Sequence, residues 1–355
     1  MRSHTLEGLR DLGQPVLITG HTGFKGTWLT LLLESYGVEV VGVSLEPELD
    51  SLYSKLSRKG CIDEFFLDIR NFHALKRVVH TIKPSVVFHL AAQPLVLQSY
   101  VDPLGTFETN VMGTANLLES VTGLKERSHI VVITTDKVYE NTENVRKYIE
   151  SDKLQGKDPY SASKVGTESV VTAWGNMWRQ NSSHRICSAR AGNVIGGGDS
   201  SKDRLVPDII RAIQNETEVI VRNPKSTRPW QHVLDPLLGY IYAANALIND
   251  VDLRNVNFGP IEDSLSVERL IQFAKEEFGE KISIKVSNDE SRAKLESSLL
   301  DLDSSLANSL LGWTPKWNQE EAIRRTFSWW NEVLSNSLSP LDACLSDISD
   351  LTEAH

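Results

Sequence analysis

The chain alternates two hydrophobic periods. Val16-Leu17-Ile18-Thr19-Gly20 is a short apolar run ending in glycine, which predicts a buried strand. From Gly26 to Tyr36 the apolar positions Trp28, Leu29, Leu31, Leu32 and Leu33 predict a helix. Val38 to Val43 reads as a second strand and Phe65 to Asp68 as a third. An amphipathic segment from Phe72 to Ile82 precedes the strand Ser85 to Leu90. Thr106 to Thr122 is helical by period, Ile130 to Thr134 is again a buried strand, Pro159 to Trp178 a long helix, and Arg185 to Arg190 a strand. This alternation predicts a parallel sheet covered by helices on both faces, a Rossmann-type doubly wound α/β fold.

Beyond Gly192 the rhythm changes. Gly196-Gly197-Gly198-Asp199 is a turn cluster. Shorter elements follow, among them a helix over Val267–Phe278, a strand over Ile282–Val286 and a Trp-rich helix over Ala322–Leu334. They predict a smaller mixed α/β substrate-binding domain. The expected division is a polar, peripheral extension over 1–14 and a nucleotide-binding domain over 15–195, to which 229–258 is also assigned. The substrate domain then takes 196–228 and 259–335. Residues 336–355 are Ser/Asp-rich with little apolar period and read as a loosely attached tail. Trp313, Trp317, Trp329 and Trp330 read as packing of the smaller domain.

Composition narrows the class. In 355 residues, 40% are hydrophobic and 24% charged, which excludes a disordered or fibrous chain. No apolar run has the length of a membrane span, and the N-terminus lacks the apolar stretch of a secretory leader, so a cytoplasmic protein with no membrane partner is expected. The net charge of −10 argues against a nucleic-acid backbone binder. Any anionic small ligand needs a local cluster of donors. Cys61, Cys187 and Cys344 are odd in number, far apart and outside any C-x-x-C pair, which argues against disulfides and zinc and reads as packing. No metal site is expected.

Three constellations carry chemistry. Gly20-His21-Thr22-Gly23-Phe24-Lys25-Gly26 follows a predicted strand and opens a predicted helix. Its glycines permit a tight turn and let backbone N–H groups reach a pyrophosphate at the helix N-terminus, which points to a dinucleotide. The spacing G-x-x-G-x-x-G is of the short-chain dehydrogenase/reductase type. The acid that grips the adenosine ribose is expected at the end of the second strand, where Ser44 stands, with Glu46 two residues on. No arginine cluster follows to receive a 2′-phosphate, which favours NAD over NADP. Tyr160 and Lys164, at i and i+4, share a helix face. An ammonium beside the phenol favours phenolate and makes Tyr160 a usable base. Thr135 lies at the end of the preceding strand, where its hydroxyl can share a proton with Tyr160. Asp136 and Lys137 follow directly. Acid and base groups beyond the Thr/Tyr/Lys set suggest proton transfers beyond alcohol oxidation, such as elimination of water.

From about Pro15 to Leu334 the chain resembles the CDP-glucose 4,6-dehydratases of the extended short-chain dehydrogenase/reductase family. The resemblance is carried by Ile18–Gly26, Leu90-Ala91-Ala92-Gln93-Pro94-Leu95-Val96, Thr109–Thr114, Thr135-Asp136-Lys137-Val138-Tyr139 and Asp158-Pro159-Tyr160-Ser161. Later stretches are Ala189–Asp199, Asp203–Asp208 and Arg228-Pro229-Trp230-Gln231-His232-Val233. The Thr-Asp-Lys triplet is its most specific part. The resemblance implies NAD held by Gly20, Thr22, Gly23, Phe24, Gly26, Asp68, Ile69, Ala91, Ala92, Gln93, Asn110, Tyr160 and Lys164. It implies a nucleotide-sugar substrate held by Asn193, Arg204 and Arg228, and a homodimer or homotetramer built on helices starting near Thr106 and Pro159. It also implies catalysis by Thr135, Asp136, Lys137, Tyr160 and Lys164. Tyr160 takes the 4-hydroxyl proton, Lys137 must be neutral to take the C5 proton, and Asp136 must start protonated to release the 6-hydroxyl.

Departures gather on the substrate side. Leu97 stands where the family carries arginine, the 140–157 segment lacks its usual tryptophans, and Leu295-Glu296-Ser297 replaces a His-Glu-Ala element. Arg292 matches no phosphate-binding surroundings. A dehydratase or epimerase for another nucleotide sugar, or a catalytically weak binding protein of this fold, are the alternative readings.

Overall fold

A computed structural model describes residues 8–10, 12–141, 146–182, 184–221, 223–286 and 300–353. Seven strands form one sheet: β1 (Val16–Thr19), β2 (Val40–Ser44), β3 (Asp63–Phe66), β4 (Val86–His89), β5 (His129–Ile133), β6 (Arg185–Ala191) and β7 (Asn255–Phe258). All neighbouring pairs are parallel, and the spatial order is β3-β2-β1-β4-β5-β6-β7. The chain runs outward in both directions from β1 and β4. The loops leaving their carboxyl ends therefore diverge and open a crevice there, the usual ligand position of a doubly wound sheet.

Every residue of β1, β2, β4 and β5 is buried. Helices cover both faces of these strands, which is why they read as continuous apolar runs. Side chains still alternate across the sheet. Val16 and Ile18 join the core on the side of α1 (Phe24–Ser35) and α5 (Leu234–Ile248). Leu17 joins the other core, under α2 (Phe72–Ile82), α3 (Gly113–Thr122) and α4 (Pro159–Asn181). The helix predicted over 106–122 is interrupted. A π-helical turn, Glu108–Met112, lies between the short helix Pro103–Phe107 and α3. Single π-turns inside helices are frequent at functional sites, and Asn110, buried, stands at the centre of this one.

The first core does not stop at the sheet. It continues through α6 (Gln319–Leu334) to α7 (Pro340–Glu353), taking in Trp329, Trp330, Cys344, Ile348 and Leu351. The expected loose tail is thus a packed helix. Cys344, Ile348 and Leu351 repeat at i, i+4 and i+7, a stripe that the many Ser and Asp residues obscure. The N-terminal extension is not wholly peripheral either, because Leu9 is buried in the same core. Trp313, Trp317, Trp329 and Trp330 are all buried. Of the cysteines, Cys187 and Cys344 pack inside, whereas Cys61 is exposed and packs nothing.

The Gly196-Gly197-Gly198 cluster is a seam between elements. A Cβ on Gly197 would come within 1.9 Å of the Trp329 ring, and the carbonyl of Gly197 accepts a 3.0 Å hydrogen bond from Trp28 Nε1. Gly198 has φ +81°, and a Cβ there would press on Leu52. Glycine is required because backbone, α1 and α6 meet with no room for a side chain.

Candidate active site

The loop after β1 is closed on itself. Gly20 N–H donates to Val43 O at 2.7 Å and Gly23 N–H to Gly20 O at 3.1 Å. Gly20 sits at φ +80°, where an added Cβ would lie 2.8 Å from Ala91 N, and a Cβ on Gly26 would lie 2.0 Å from Gly20 O. The loop, the Ala91-Ala92 turn and the first turn of α1 are therefore pressed together as bare backbone. Gly23 caps α1 with no side chain over its N-terminus, so the first-turn N–H groups face the crevice. Such a cradle fits a pyrophosphate, and with it a dinucleotide.

The other expected cofactor residues have these contacts. Thr22 is hydrogen-bonded to Ser44 (Oγ1–Oγ 2.7 Å), so Ser44 fixes the loop where an acid was looked for. Glu46 is exposed and pairs with Lys59 at 3.2 Å. The Phe24 ring lies near Gly196. Asp68 is chelated by Arg70 (2.9 and 2.6 Å), and this hydrogen-bonded guanidinium holds its carboxyl below the usual range. Ile69 is buried against Gly113. Asn110 accepts from Gln93 N–H at 2.8 Å and donates to Ser163 Oγ at 2.8 Å, tying the β4 loop to α4.

The catalytic candidates form a ladder at the carboxyl end of β5. Thr135 caps a 3₁₀ turn, Asp136–Val138. Its Oγ1 donates to Asp136 Oδ1 at 2.8 Å, and Lys137 Nζ reaches the same oxygen at 3.2 Å. The Asp136 side chain is 2% exposed and that of Lys137 27%. Tyr160 follows the α4 N-cap Asp158, which forms a capping box with Ser161. Burial pushes the Tyr160 phenol up to about 12, with the Thr135 side chain opposing. Lys164 Nζ donates to the Ile133 carbonyl at 3.2 Å. Burial brings Lys164 itself down to about 8, with Glu168 opposing.

Two features escaped the sequence reading. The first is a buried ion pair beneath the ladder. Arg190 on β6 forks onto Glu168 of α4 (2.9 and 2.9 Å), and Glu168 also accepts from Thr134 at 2.6 Å and Ser188 at 2.7 Å. Burial raises the Glu168 carboxyl, but Arg190 and the two hydroxyls outweigh it and leave it below its ordinary value. Arg190 reaches further, to Tyr139 Oη at 2.8 Å and the Glu150 carbonyl at 3.0 Å. A signal existed: Glu168 continues the face Tyr160, Lys164 at i+4, and Arg190 is a charge inside an apolar strand.

The second is Lys25. Its Nζ donates to Tyr240 Oη of α5 at 3.1 Å. Burial brings it down to about 7, with the charges of Arg204, Lys164 and Lys137 adding and Asp136 opposing. Lys25 thus links the glycine loop to α5.

On the substrate side, a Cβ on Gly192 would lie 3.4 Å from Asp136 Oδ2 and 3.7 Å from Pro229. The 189–199 and 228–233 stretches therefore meet beside the Asp136 carboxylate. Asn193 is half-buried beside the short pair Val194–Ile195 and Gln231–His232. Arg204 lies 3.6 Å from Asp199 and acts electrostatically on Tyr160 and Lys25. Arg228 donates to the Thr227 carbonyl at 2.9 Å on a short antiparallel ladder with Leu265–Ser266. Lys147 crosses from the 140–157 segment to the carbonyls of Pro260, Ile261 and Glu262. Leu97 is partly exposed, on a helix bearing the exposed Tyr100 and Val101. Arg292 and Leu295-Glu296-Ser297 lie outside the described residues.

The strand order, the crevice loop and the Tyr/Lys helix define an extended short-chain dehydrogenase/reductase. A model of the GDP-mannose 4,6 dehydratase family matches residues 17–326, and the chain belongs to that family. It is 43% identical over 326 residues to the CDP-glucose 4,6-dehydratase of Salmonella typhimurium, covering 89% of this chain and 90% of the relative. It is 25% identical over 330 residues to a dTDP-glucose 4,6-dehydratase of Xanthomonas campestris, covering 88% and 92%. Among solved structures, the UDP-glucose-4-epimerase of Stenotrophomonas maltophila with bound NAD superposes with TM-score 0.79 at 20% identity, covering 92% and 100%. DesIV, the dTDP-glucose 4,6-dehydratase of Streptomyces venezuelae with NAD bound, gives 0.76 at 20% identity over the same shares. These two share the fold.

Proposed function

We propose that the chain is an NAD-dependent nucleotide-sugar 4,6-dehydratase, a lyase that converts CDP-glucose to CDP-4-keto-6-deoxyglucose. The observation that carries this reading is the Thr135-Asp136-Lys137 ladder against the buried Tyr160. The glycine loop would cradle NAD, which would supply a hydride acceptor for C4 of the sugar and the hydride returned to C6. The side chains move the protons. Tyr160, with Thr135 and Lys164, removes the 4-hydroxyl proton. The ketone acidifies C5–H, and Lys137 in its neutral form takes that proton and later returns it to C5. Asp136 in its protonated form gives a proton to the departing 6-hydroxyl. In the structure the two form an ion pair at 3.2 Å. Passing one proton from Lys137 to Asp136 makes both neutral, the forms elimination needs.

A 4-epimerase needs no proton transfer at C5, so the Asp–Lys pair favours the dehydratase over that alternative. The 43% relative supports CDP-glucose as substrate. Asn193, Arg204 and Arg228 would hold the nucleotide and its phosphates, whose oxygens suit forked guanidinium donors. An assembly of two or four copies is supported by exposed apolar side chains on one stretch: Tyr100, Val101, Leu104, Phe107 and Met112. A reducing, cytoplasmic setting fits three free thiols, one of them exposed.

The test is CDP-glucose carrying deuterium at C4. The expected product is a ketone with deuterium at C6. Turnover of UDP-, dTDP- or GDP-sugars but not CDP-glucose would remove the substrate assignment. Undiminished turnover in Lys137→Ala would remove the role of that lysine.

A further inference from the structure

The acid and base assigned to elimination sit side by side on one short turn. Asp136 and Lys137 lie between Thr134, the residue after β5, and Tyr139, whose N–H closes the turn on the Asp136 carbonyl at 3.2 Å. Thr134 and Tyr139 are both fastened to the same buried ion pair. Thr134 Oγ1 donates to Glu168 Oε1 at 2.6 Å. Arg190 Nη1 donates to Tyr139 Oη at 2.8 Å. Between these two anchors Arg190 forks onto Glu168 through Nε and Nη2, at 2.9 Å each. The turn is thus one side of a closed ring of contacts whose other side is the Glu168–Arg190 pair.

The pair suits a role in holding position. A carboxylate has about four acceptor sites, and Thr134, Ser188 and the two Arg190 bonds fill those of Glu168. A buried ion pair contributes little net stability, because desolvation offsets the attraction, but a planar fork fixes direction. Tyr139 has two further anchors. Its Oη donates to Asn257 Oδ1 of β7 at 2.7 Å, and its ring stacks on Tyr148 with centroids 5.2 Å apart. Thr134, Tyr139, Glu168, Arg190 and Asn257 are all buried, so bulk water has poor access to replace these bonds. The groups that oxidise C4 are held differently. Tyr160 and Lys164 stand on α4, where the Tyr160 N–H donates to Ser99 Oγ at 3.1 Å and Lys164 Nζ to the Ile133 carbonyl at 3.2 Å. Freeing the Tyr139 end therefore shifts Asp136 and Lys137 against Tyr160 without releasing Tyr160.

We propose that Tyr139, held by Arg190 and through it by Glu168, is a positioning residue for the elimination step. It fixes where Asp136 and Lys137 stand relative to Tyr160. The assignment rests on the dehydratase reading and adds to it a division between two supports. α4 places the base that oxidises C4, and the Arg190–Tyr139 bond places the acid and base of water loss. Proton transfer depends steeply on distance, and a misplacement near 1 Å costs up to about a hundredfold. Loss of the Tyr139 hydroxyl should therefore slow dehydration and spare oxidation.

The experiment compares two reactions of the same holoenzyme. CDP-6-deoxyglucose keeps the 4-hydroxyl and has no 6-hydroxyl to lose, so single-turnover NADH formation from it reports oxidation alone. CDP-glucose turnover reports oxidation, elimination and hydride return together. In Tyr139→Phe, oxidation is expected within about twofold of wild type and dehydration about ten- to a hundredfold below it. Should that variant not yield folded holoenzyme, Asn257→Ala, which removes another anchor of the same phenol, is held to the same split. The positioning role is overturned if the two reactions fall by the same factor, if oxidation falls more than dehydration, or if neither changes. Wild-type enzyme that leaves CDP-glucose unchanged overturns the dehydratase reading and this role with it; wild-type dehydration without the split in the variant overturns the role alone.

Discussion

The site holds two tyrosine–lysine pairs built in opposite ways. Tyr160 and Lys164 are one helical turn apart on α4, yet the lysine spends its proton contact on the Ile133 carbonyl of β5. Tyr240 and Lys25 are separated by 215 residues, on α5 and in the glycine loop, yet they are bonded directly at 3.1 Å. Sequence proximity therefore gives a shared face but not a contact. The distant pair exists because α1 and α5 pack on the same side of the sheet. In both pairs burial sets the direction of the shifts: up for the phenols, down for the ammoniums.

Substitutions separate the two pairs, beginning with the largest effect. Tyr160→Phe removes the base and should lower kcat by about two to four orders of magnitude, with the fold intact by circular dichroism. Tyr240→Phe should retain most of the activity; an equal loss in both would end the distinction. Arg190→Met leaves the Glu168 carboxylate buried and unpaired, and should cost about 3–5 kcal/mol in denaturant unfolding. A loss near zero would mean that the pair beneath the ladder is not a support.

Lys25→Met tests the distant pair through pH. Folded Lys25 titrates near 7 against an ordinary value of 10.5. Between those values the unfolded chain binds the proton that the folded chain has released, so this lysine makes wild-type stability rise with pH across that window. The stability of Lys25→Met relative to wild type should thus be greatest below pH 7 and shrink toward pH 10. A difference that does not change with pH would place Lys25 in solvent. Smallest of all, Glu46→Gln removes an exposed pair with Lys59 and should change stability by less than about 1 kcal/mol.

Legibility followed the range of the interactions. The glycine loop, the Thr135 turn and the Tyr160 helix were readable because each is set by neighbours within a few residues: a positive φ at Gly20, a cap at Thr135, a capping box at Asp158. α7 was not readable, since its apolar stripe is thin and its partner α6 is what makes it a helix rather than a tail. Lys25 stands within the glycine motif, and nothing in its neighbours along the chain marks its contact with Tyr240. Arg190 read as the end of a predicted strand, whereas its guanidinium forks onto Glu168 of α4.

The sequence by itself determined the alternation of strand and helix, the crevice loop and the chemical types at the ladder, because hydrophobic period and backbone conformation are local properties. Tertiary structure alone decided which charges face one another. Lys25, Asp136, Arg204 and Tyr240 come from four separate stretches, and Coulomb interactions and burial depend on distance in space rather than along the chain.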